Sequence, residues 1–434
     1  MLAAVCLIPA ASAQYKDYPQ IAGKTQPLHF KEMPSWLGID MDLRARSEGQ
    51  TAFSYVAGTG QGYELTRVWG GLTVTPTHWL TGYAQFMDSH ALALPVKYVA
   101  SNMRDNFDLR QGYLEVHGEN MDVRAGRQEL RFGGERLVGI SDWTNVSRTF
   151  DGFRGTFGEK NRVDLFSASV VTIHPGGFDD HAGGLNFHGA YGTLSHLVPK
   201  TTIEPYVFVK AMPSVKSQQS IYGTETEVTP GMRVLGNAPL GFDYIAEGAL
   251  QRGSYSNDSI HAGAGYTKVG WTGRMIPWTP RLQGEYDYAT GNPHTNAKRI
   301  GTFDQLYPSA HNAFGLTDLL GWQNIKQERI NLDLSPVKHL TVLLQQGFLQ
   351  VATKRDGLYS GSASEFLRPP TKGLASDDIG KEFDASAKYV FHDYFVTNVG
   401  VGHFFPAAVM TENSHAAPQT IAYLALIYRF KVTN

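Results

Sequence analysis

Cysteine is nearly absent: the 434 residues hold one, Cys6. It lies in MLAAVCLIPAASA, a short apolar run whose closing Ala11-Ser12-Ala13 predicts a signal peptide over residues 1–13, cleaved before Gln14. Val5 fits a lipoprotein processing site poorly, and the run lacks the positive stretch that usually precedes the apolar part. A chain exported with no further cysteine has no disulfide framework and must be held together by other means. Charge of one sign is not in excess either. Lys and Arg number 38 and Asp and Glu 40, a net charge of -2, so there is no basic footprint and nucleic acid is excluded as a partner.

Long apolar runs are also missing. After residue 13 no stretch approaches the roughly 18 apolar residues of a membrane-spanning helix. An export signal without such a helix leaves a secreted or periplasmic protein, a peripheral one, or an outer-membrane β-barrel. Enzyme motifs are missing as well: there is no Gly-x-Ser-x-Gly elbow, no His-Glu-x-x-His, no Walker loop and no cysteine-based metal cluster. No catalytic residue and no cofactor is therefore assigned, and the chain is read as a non-enzyme. Gly58-Thr59-Gly60-Gln61-Gly62 is too short for the dinucleotide pattern and opens no helix. The fifteen His are scattered. Asp179-Asp180 and Asp377-Asp378 fall in connections where calcium binding is conceivable; solvated loop charges are the simpler reading, and no metal ligand is assigned.

What is present is strand-period alternation from end to end. In WLGIDMDLRAR (36–46), Leu37, Ile39, Met41, Leu43 and Ala45 share one face, and Asp40, Asp42, Arg44 and Arg46 the other. PRLQGEYDYA (280–289), ERINLDLS (328–335) and EFDASAKYVF (382–391) divide in the same way. A charged face is costly in a sandwich core but natural against water inside a barrel. About eighteen such segments recur, each near ten residues, the length of a tilted strand crossing a bilayer; those near 107–117 and 184–236 alternate poorly. Short and mostly long connections follow one another in strict order. This is the pattern of an all-β transmembrane antiparallel barrel with short periplasmic turns and long extracellular loops. The expected layout is an N-terminal periplasmic segment over 14–35 and a barrel over 36–430. The outside connections at 213–223 and 253–258 are among those assigned to the loop side, and that at 290–325 is the longest. Trp69, Trp79, Trp271 and Trp278 fall near predicted strand ends and are read as interfacial girdle residues. The last strand, IAYLALIYRF (421–430), resembles the aromatic-ended closing strand that outer-membrane assembly machinery recognises, with Lys431-Val432-Thr433-Asn434 running past it.

The arginines carry the remaining signal. By alternation Arg44, Arg46, Arg67, Arg124, Arg154, Arg162, Arg281 and Arg329 face the lumen, while Arg127, Arg131, Arg136 and Arg148 lie in or beside the connection at 127–148. Many arginines come from the first seven strands. Many lumen acids, among them Glu285, Asp287, Asp333, Glu382 and Asp384, come from the last six. Arginine holds its charge and presents a planar fork, so a partly dehydrated cluster favours anionic solutes. Internal salt bridges that only hold the barrel wall together are the competing reading.

Two stretches, AGRQELRFGGERLVGISDWTNVSRTFDGFRGTF (125–157) and ATGNPHTNAKRIGTFDQLYPSAHNAFGLTDLLGWQNI (289–325), resemble the alginate export family of outer-membrane porins. The features that match are Gly126-Arg127-Gln128, Arg136-Leu137-Val138-Gly139, Asp142-Trp143, Asn145 and Arg148-Thr149-Phe150-Asp151-Gly152. The resemblance implies an eighteen-stranded monomeric barrel in the bacterial outer membrane, gated by loops or turns, with an electropositive path for a polyuronate. It places Arg67, Arg127, Arg131, Arg136, Arg148 and Arg154 on that path, to which alternation adds Arg44, Arg46 and Arg124. The expected function is passive passage of an anionic polysaccharide or carboxylated oligosaccharide, with outer-membrane lipid around the barrel and a periplasmic export scaffold as a candidate partner. An uptake porin for small carboxylates, and a non-conducting barrel serving as adhesin or anchor, are the alternatives. The aromatic loop at 290–325 is expected to fold into the barrel mouth as a plug or lid, with Asp304, Gln305, Tyr307 and His311 as its contacts.

Overall fold

The structure is a computed structural model that describes residues 24–294, 297–311 and 313–434. The expected signal peptide, with Cys6, lies outside the described residues, as does the first part of the 14–35 segment.

Eighteen long strands build one antiparallel sheet. The first six are β1 (Leu37–Thr51), β2 (Gly60–Thr77), β3 (Leu80–Leu92), β4 (Asp105–His117), β5 (Met121–Gln128) and β6 (Phe150–Phe157). Next come β7 (Asn161–Thr172), β8 (Asn186–Val198), β9 (Thr201–Lys216), β10 (Tyr222–Asn237), β11 (Phe242–Tyr255) and β12 (Asp258–Thr272). The last six are β13 (Arg281–Ala289), β14 (Ile325–Leu334), β15 (Leu340–Val351), β16 (Asp378–Phe391), β17 (Phe395–Pro406) and β18 (Gln419–Thr433). Each pairs with its neighbours in sequence, and β18 returns to β1 in antiparallel register from Ile39 opposite Val432 to Gln50 opposite Ile421. The sheet is thus closed, which removes the unpaired edges of so long a ribbon. The expected barrel of about eighteen strands is what the chain forms. Among the described residues no helix is long and apolar enough to cross a membrane.

The wall is inverted relative to a water-soluble core. Along β13, Arg281, Gln283, Glu285 and Asp287 are buried inside, while Leu282, Gly284, Tyr286 and Tyr288 face outward. Leu282 is 53% exposed and Glu285 5%. Val68, Leu72, Leu165, Leu250, Ile330, Phe348, Val401 and Leu424 extend the outward apolar surface around the barrel, as a hydrocarbon surrounding requires.

Several expectations need correction. The loop-side connections after β9 and β11 shrink to 217–221 and 256–257, because the flanking strands run further than their alternation reveals. The segment 184–236 alternates poorly because part of its inner face is also apolar. Phe166, Phe187, Tyr191, Tyr206 and Phe208, from β7, β8 and β9, stack inside the barrel. Gly189 of β8 makes room for them: a Cβ there would lie 2.6 Å from the Phe166 ring and 2.7 Å from that of Phe208. Trp69 is no girdle residue. It sits mid-strand in β2, buried, with the Arg67 and Arg110 guanidiniums each 3.6 Å from its ring. The residues after Phe430 do not trail. They continue β18 between β1 and a short strand, Gln26–His29, which pairs with Phe430–Thr433 in parallel.

Candidate functional site

Two long connections on the loop side fold inward and fill the barrel. The first, residues 129–149, follows β5. The wall arginines of β1 and β2 hold it by its main chain: Arg44 donates to the carbonyls of Asp142 (2.6 Å) and Thr144 (2.7 Å), and Arg46 to that of Trp143 (2.6 Å). Arg46 also lies over the Trp143 ring at 3.8 Å. Arg67 reaches the carboxylates of Asp142 at 3.0 Å and Asp42 at 3.3 Å, and Arg429 of β18 pairs with Asp42 as well. A guanidinium brings five donors in a fixed fork, so a few arginines satisfy several otherwise orphaned carbonyls of an irregular segment. Asn145 is fully buried and bonds through Nδ2 to the carbonyls of Thr66 (2.9 Å), His90 (3.1 Å) and Met103 (3.1 Å), while its Oδ1 accepts from Arg44.

The same loop reaches the other side of the lumen. Phe132 enters the aromatic cluster, stacking on Tyr191 at 4.9 Å and Phe166 at 5.4 Å. Arg136 pairs with Glu285 and Asp287 of β13, where Lys268 of β12 and Arg329 of β14 also meet Glu285. Contacts on β1 and β2, on β7 and β8, and on β13 place this single loop across the barrel interior.

The second inward loop, residues 290–324, is held by charge of the opposite sign. Glu382 of β16 accepts from the amide (2.8 Å) and hydroxyl (2.7 Å) of Thr317, and Asp384 from the amide of Leu316 (3.3 Å). Gly315 permits this approach, since a Cβ there would fall 2.3 Å from the Glu382 carboxyl. The division of lumen charge seen in the sequence therefore has a physical use: arginines on the first strands bind carbonyls of one loop, and acids on the last strands bind amides of the other. The two loops meet in a parallel bridge between Val138 and Tyr307. Gly139 donates to the Tyr307 carbonyl and Tyr307 to that of Leu137, both at 2.8 Å. Arg148 locks the junction by donating to the carbonyls of Gly139 (2.9 Å) and Pro308 (3.0 Å).

The four loop residues singled out in the sequence all lie in this assembly. Asp304 pairs with Lys210 of β9, and its main chain makes two bonds to the Gln251 amide of β11. Gln305 is buried and bonds to the carbonyl of Gly361 (2.8 Å) and the amide of Trp322 (2.8 Å). Tyr307 lies edge-on to Phe150 and Phe187. His311 stacks flat on Trp143 at 3.6 Å and meets Asp318 at 2.7 Å.

The remaining arginines are engaged too. Arg124 pairs with Glu115 over the Tyr113 ring, Arg127 bonds with two nitrogens to Asp151, and Arg154 shares Asp164 with Arg162. Arg131, its side chain 41% exposed, bridges Glu129 and Glu135. Burial alone would raise the Glu129 carboxyl, but Arg110 and Arg131 outweigh it and hold the group at about 2. Asp142 is likewise depressed: its burial is overcome by Arg67, Arg44 and Arg429. Burial lowers the Arg148 guanidinium to about 10, still charged at neutral pH. Sequence reasoning missed Arg110, which is buried and donates to Gln85, Ser147 and Glu129. Its strand slips register against β3 between Gln85 and Phe86, so adjacent Arg110 and Gln111 are both buried and no alternation marks them.

A closed antiparallel barrel with an apolar outer belt, a polar lumen and loops folded inward belongs to the class of porin-like outer-membrane barrels. Solved structures share this fold. The outer membrane protein opdK of Pseudomonas aeruginosa has 11% sequence identity and a TM-score of 0.62, the match covering 92% of this chain and 100% of that one. OccK11 (OpdR) of Pseudomonas aeruginosa has 11% identity and a TM-score of 0.61, with 95% and 99% covered. OccAB2 of Acinetobacter baumannii has 7% and 0.62, with 92% and 99% covered. At such identity the likeness shows the fold alone. None of the curated proteins matches the chain in sequence. Residues 34–423 match the alginate export family. The chain belongs to that family and is a β-barrel of the bacterial outer membrane.

Proposed function

We propose that this barrel is a passive outer-membrane channel for an anionic, carboxylated polysaccharide or oligosaccharide of the alginate type. The observation that supports it best is the arginine-rich quadrant of the lumen, where Arg44, Arg46, Arg67, Arg110 and Arg127 gather on the first five strands. Arg44, Arg46, Arg67 and Arg110 hold the inward loop, and Arg127 bonds to Asp151 and to the carbonyls of Leu109 and Asp179; their second role in this proposal is to offer guanidinium groups to an anion beside that loop. Arg131 is the cation of that loop most open to a passing carboxylate. Transport needs no chemistry from the protein, only a path of the right width and sign, and no catalytic role is assigned.

A second reading, passage of small carboxylates only, is favoured by one specific observation. The two inward loops are bonded to each other, the first also to β1, β8 and β13 and the second to β9, β11 and β16, which narrows the lumen for a polymer. Single-channel recording in planar bilayers separates the readings. Anion selectivity under a salt gradient, with current blocked by uronate oligomers, is the expected result. Block by monomeric carboxylates alone selects the second reading. A pore that prefers cations and ignores uronates overturns both, and a barrel that never conducts is an anchor or adhesin.

A further inference from the structure

Away from the loop junction, three carboxylates converge on the loop-side rim. Asp105 and Asp108 both belong to β4, three residues apart, a spacing that puts side chains on opposite faces of a regular strand. Pairing with β3 slips between Met87 and Ser89, and both aspartates are buried; bulges of this kind re-aim side chains. Asp179 joins them from the connection 173–185. One carboxylate oxygen of each lies within 4.8 Å of the others.

Two of the three carboxylates are partly satisfied. Asp108 accepts from the amides of Leu109 (2.5 Å) and Asp179 (2.6 Å), and Asp179 accepts from that of His174 (2.6 Å). Asp105 is different. It is 0% exposed, and no donor reaches either of its oxygens with hydrogen-bond geometry. A buried carboxylate with both oxygens unmet, beside two more anions, is a costly arrangement unless something positive completes it. The nearby Arg127 does not: it is spent on Asp151 and on the carbonyls of Leu109 and Asp179. Among the described residues the other cluster of three acids, Glu225, Glu227 and Asp304, already has Lys210.

We propose that Asp105, Asp108 and Asp179 form a calcium site that ties the connection 173–185 to β4. The donors are all oxygen, which suits a hard cation and not a transition metal. Oxygens all within 4.8 Å of one another fit inside a calcium sphere of roughly 2.3–2.6 Å radius, and calcium accepts such an irregular carboxylate set more readily than magnesium, which demands a near-ideal octahedron and keeps several waters. Asp179 is one half of a pair already conspicuous in the sequence; its partners Asp105 and Asp108 are unreadable there because the bulge hides their common orientation.

The test compares purified parent and Asp105→Asn barrels in detergent with calcium chloride alone, magnesium chloride alone, or EGTA. Calcium is expected to raise the parent's unfolding temperature by roughly 5 °C and to slow protease nicking within 173–185. Asp105→Asn should lose both responses. Without calcium it should match or exceed the parent in stability, because one of three crowded charges is gone, and this separates loss of the site from misfolding. A parent that ignores 10 mM calcium, an Asp105→Asn barrel that responds like the parent, or magnesium acting equally well overturns the assignment.

Discussion

Replacing Asn145 by alanine tests whether the first inward loop is tethered where its contacts indicate. Its amide serves the carbonyls of Thr66, His90 and Met103, and Thr66 and His90 are cross-strand partners on β2 and β3. The side chain therefore grips two adjacent wall strands and a neighbouring connection at one point. The two amide hydrogens are shared among these carbonyls and Oδ1 accepts from Arg44, so alanine removes about three bonds' worth at about 1 kcal/mol net each, about 3 kcal/mol of tethering and a shift on the order of 100-fold toward the released form. Arg44 keeps its bonds to the Asp142 and Thr144 carbonyls, so the barrel itself should stay intact. Trypsin can read the change at Arg131 and Arg136, because nicking follows the population of the open form when opening and closing are fast. The expected outcome is a nicking rate raised on the order of 100-fold, with heat-modifiable gel mobility of the barrel unchanged. Asn145→Asp keeps an acceptor for Arg44 but sets a carboxylate against three carbonyls, and should behave like the alanine variant. A nicking rate within about threefold of the parent, a difference of well under 1 kcal/mol, would refute the tether.

Deleting residues 296–320 removes most of the second loop and should raise single-channel conductance; an unchanged pore means the loop closes nothing. Acid should loosen the first loop. The Glu129 carboxyl is held at about 2, below its ordinary 4.5, so its contribution, about 3 kcal/mol, is complete above pH 4.5 and fades as pH falls toward 2. Current noise and loop nicking by pepsin should rise between pH 4.5 and 3, and a flat profile there speaks against the Arg110 and Arg131 contacts. Trp69→Leu strips the stacking surface from Arg67 and Arg110 and should destabilise the barrel by about 2 kcal/mol, seen as a lower heat-modification temperature. Ile330→Arg, on the outward face of β14, should cost about 2–4 kcal/mol in folding from urea into lipid vesicles, while a neutral result there would move the apolar belt elsewhere.

The wall was readable because the inversion of its faces is a matter of side chains alone: Leu282 against Glu285, repeated strand after strand, writes the barrel into the sequence with period two. It blurred where that rule gave way. Tyr191 and Phe208 turn rings inward to receive Phe132, and Phe187 packs against Phe208, so β8 and β9 are greasy on both sides. In β4 the register slips conceal Arg110, Asp105 and Asp108. The charge division between early arginines and late acids was visible, but its use was not, because the partners of Arg44 and Glu382 are carbonyls and amides, which every residue possesses. Trp69 was misplaced because its residue type suggested a girdle, whereas it stands midway along Gly60–Thr77 on the same buried face as Arg67. The aromatic loop at 290–325 announced itself by composition; its bridge partner Val138, more than a hundred and fifty residues away, did not.

The pairing of Gln26–His29 with Phe430–Thr433 protects an edge that closure of the barrel leaves bare. These segments are about four hundred residues apart, among the most distant contacts in the chain, and they share one edge with the β1–β18 closure. Once β1 has paired with β18, Gln26–His29 lies only a few residues before β1, so its addition costs little further loop-closure entropy. The tip of the last strand therefore depends on both ends of the chain: without Gln26–His29, Phe430–Val432 would keep β1 on one side and have no strand on the other. The join at the turn-side rim is three strands wide, with Gln26–His29 covering the edge of β18 that β17, starting at Phe395 opposite Tyr428, does not reach.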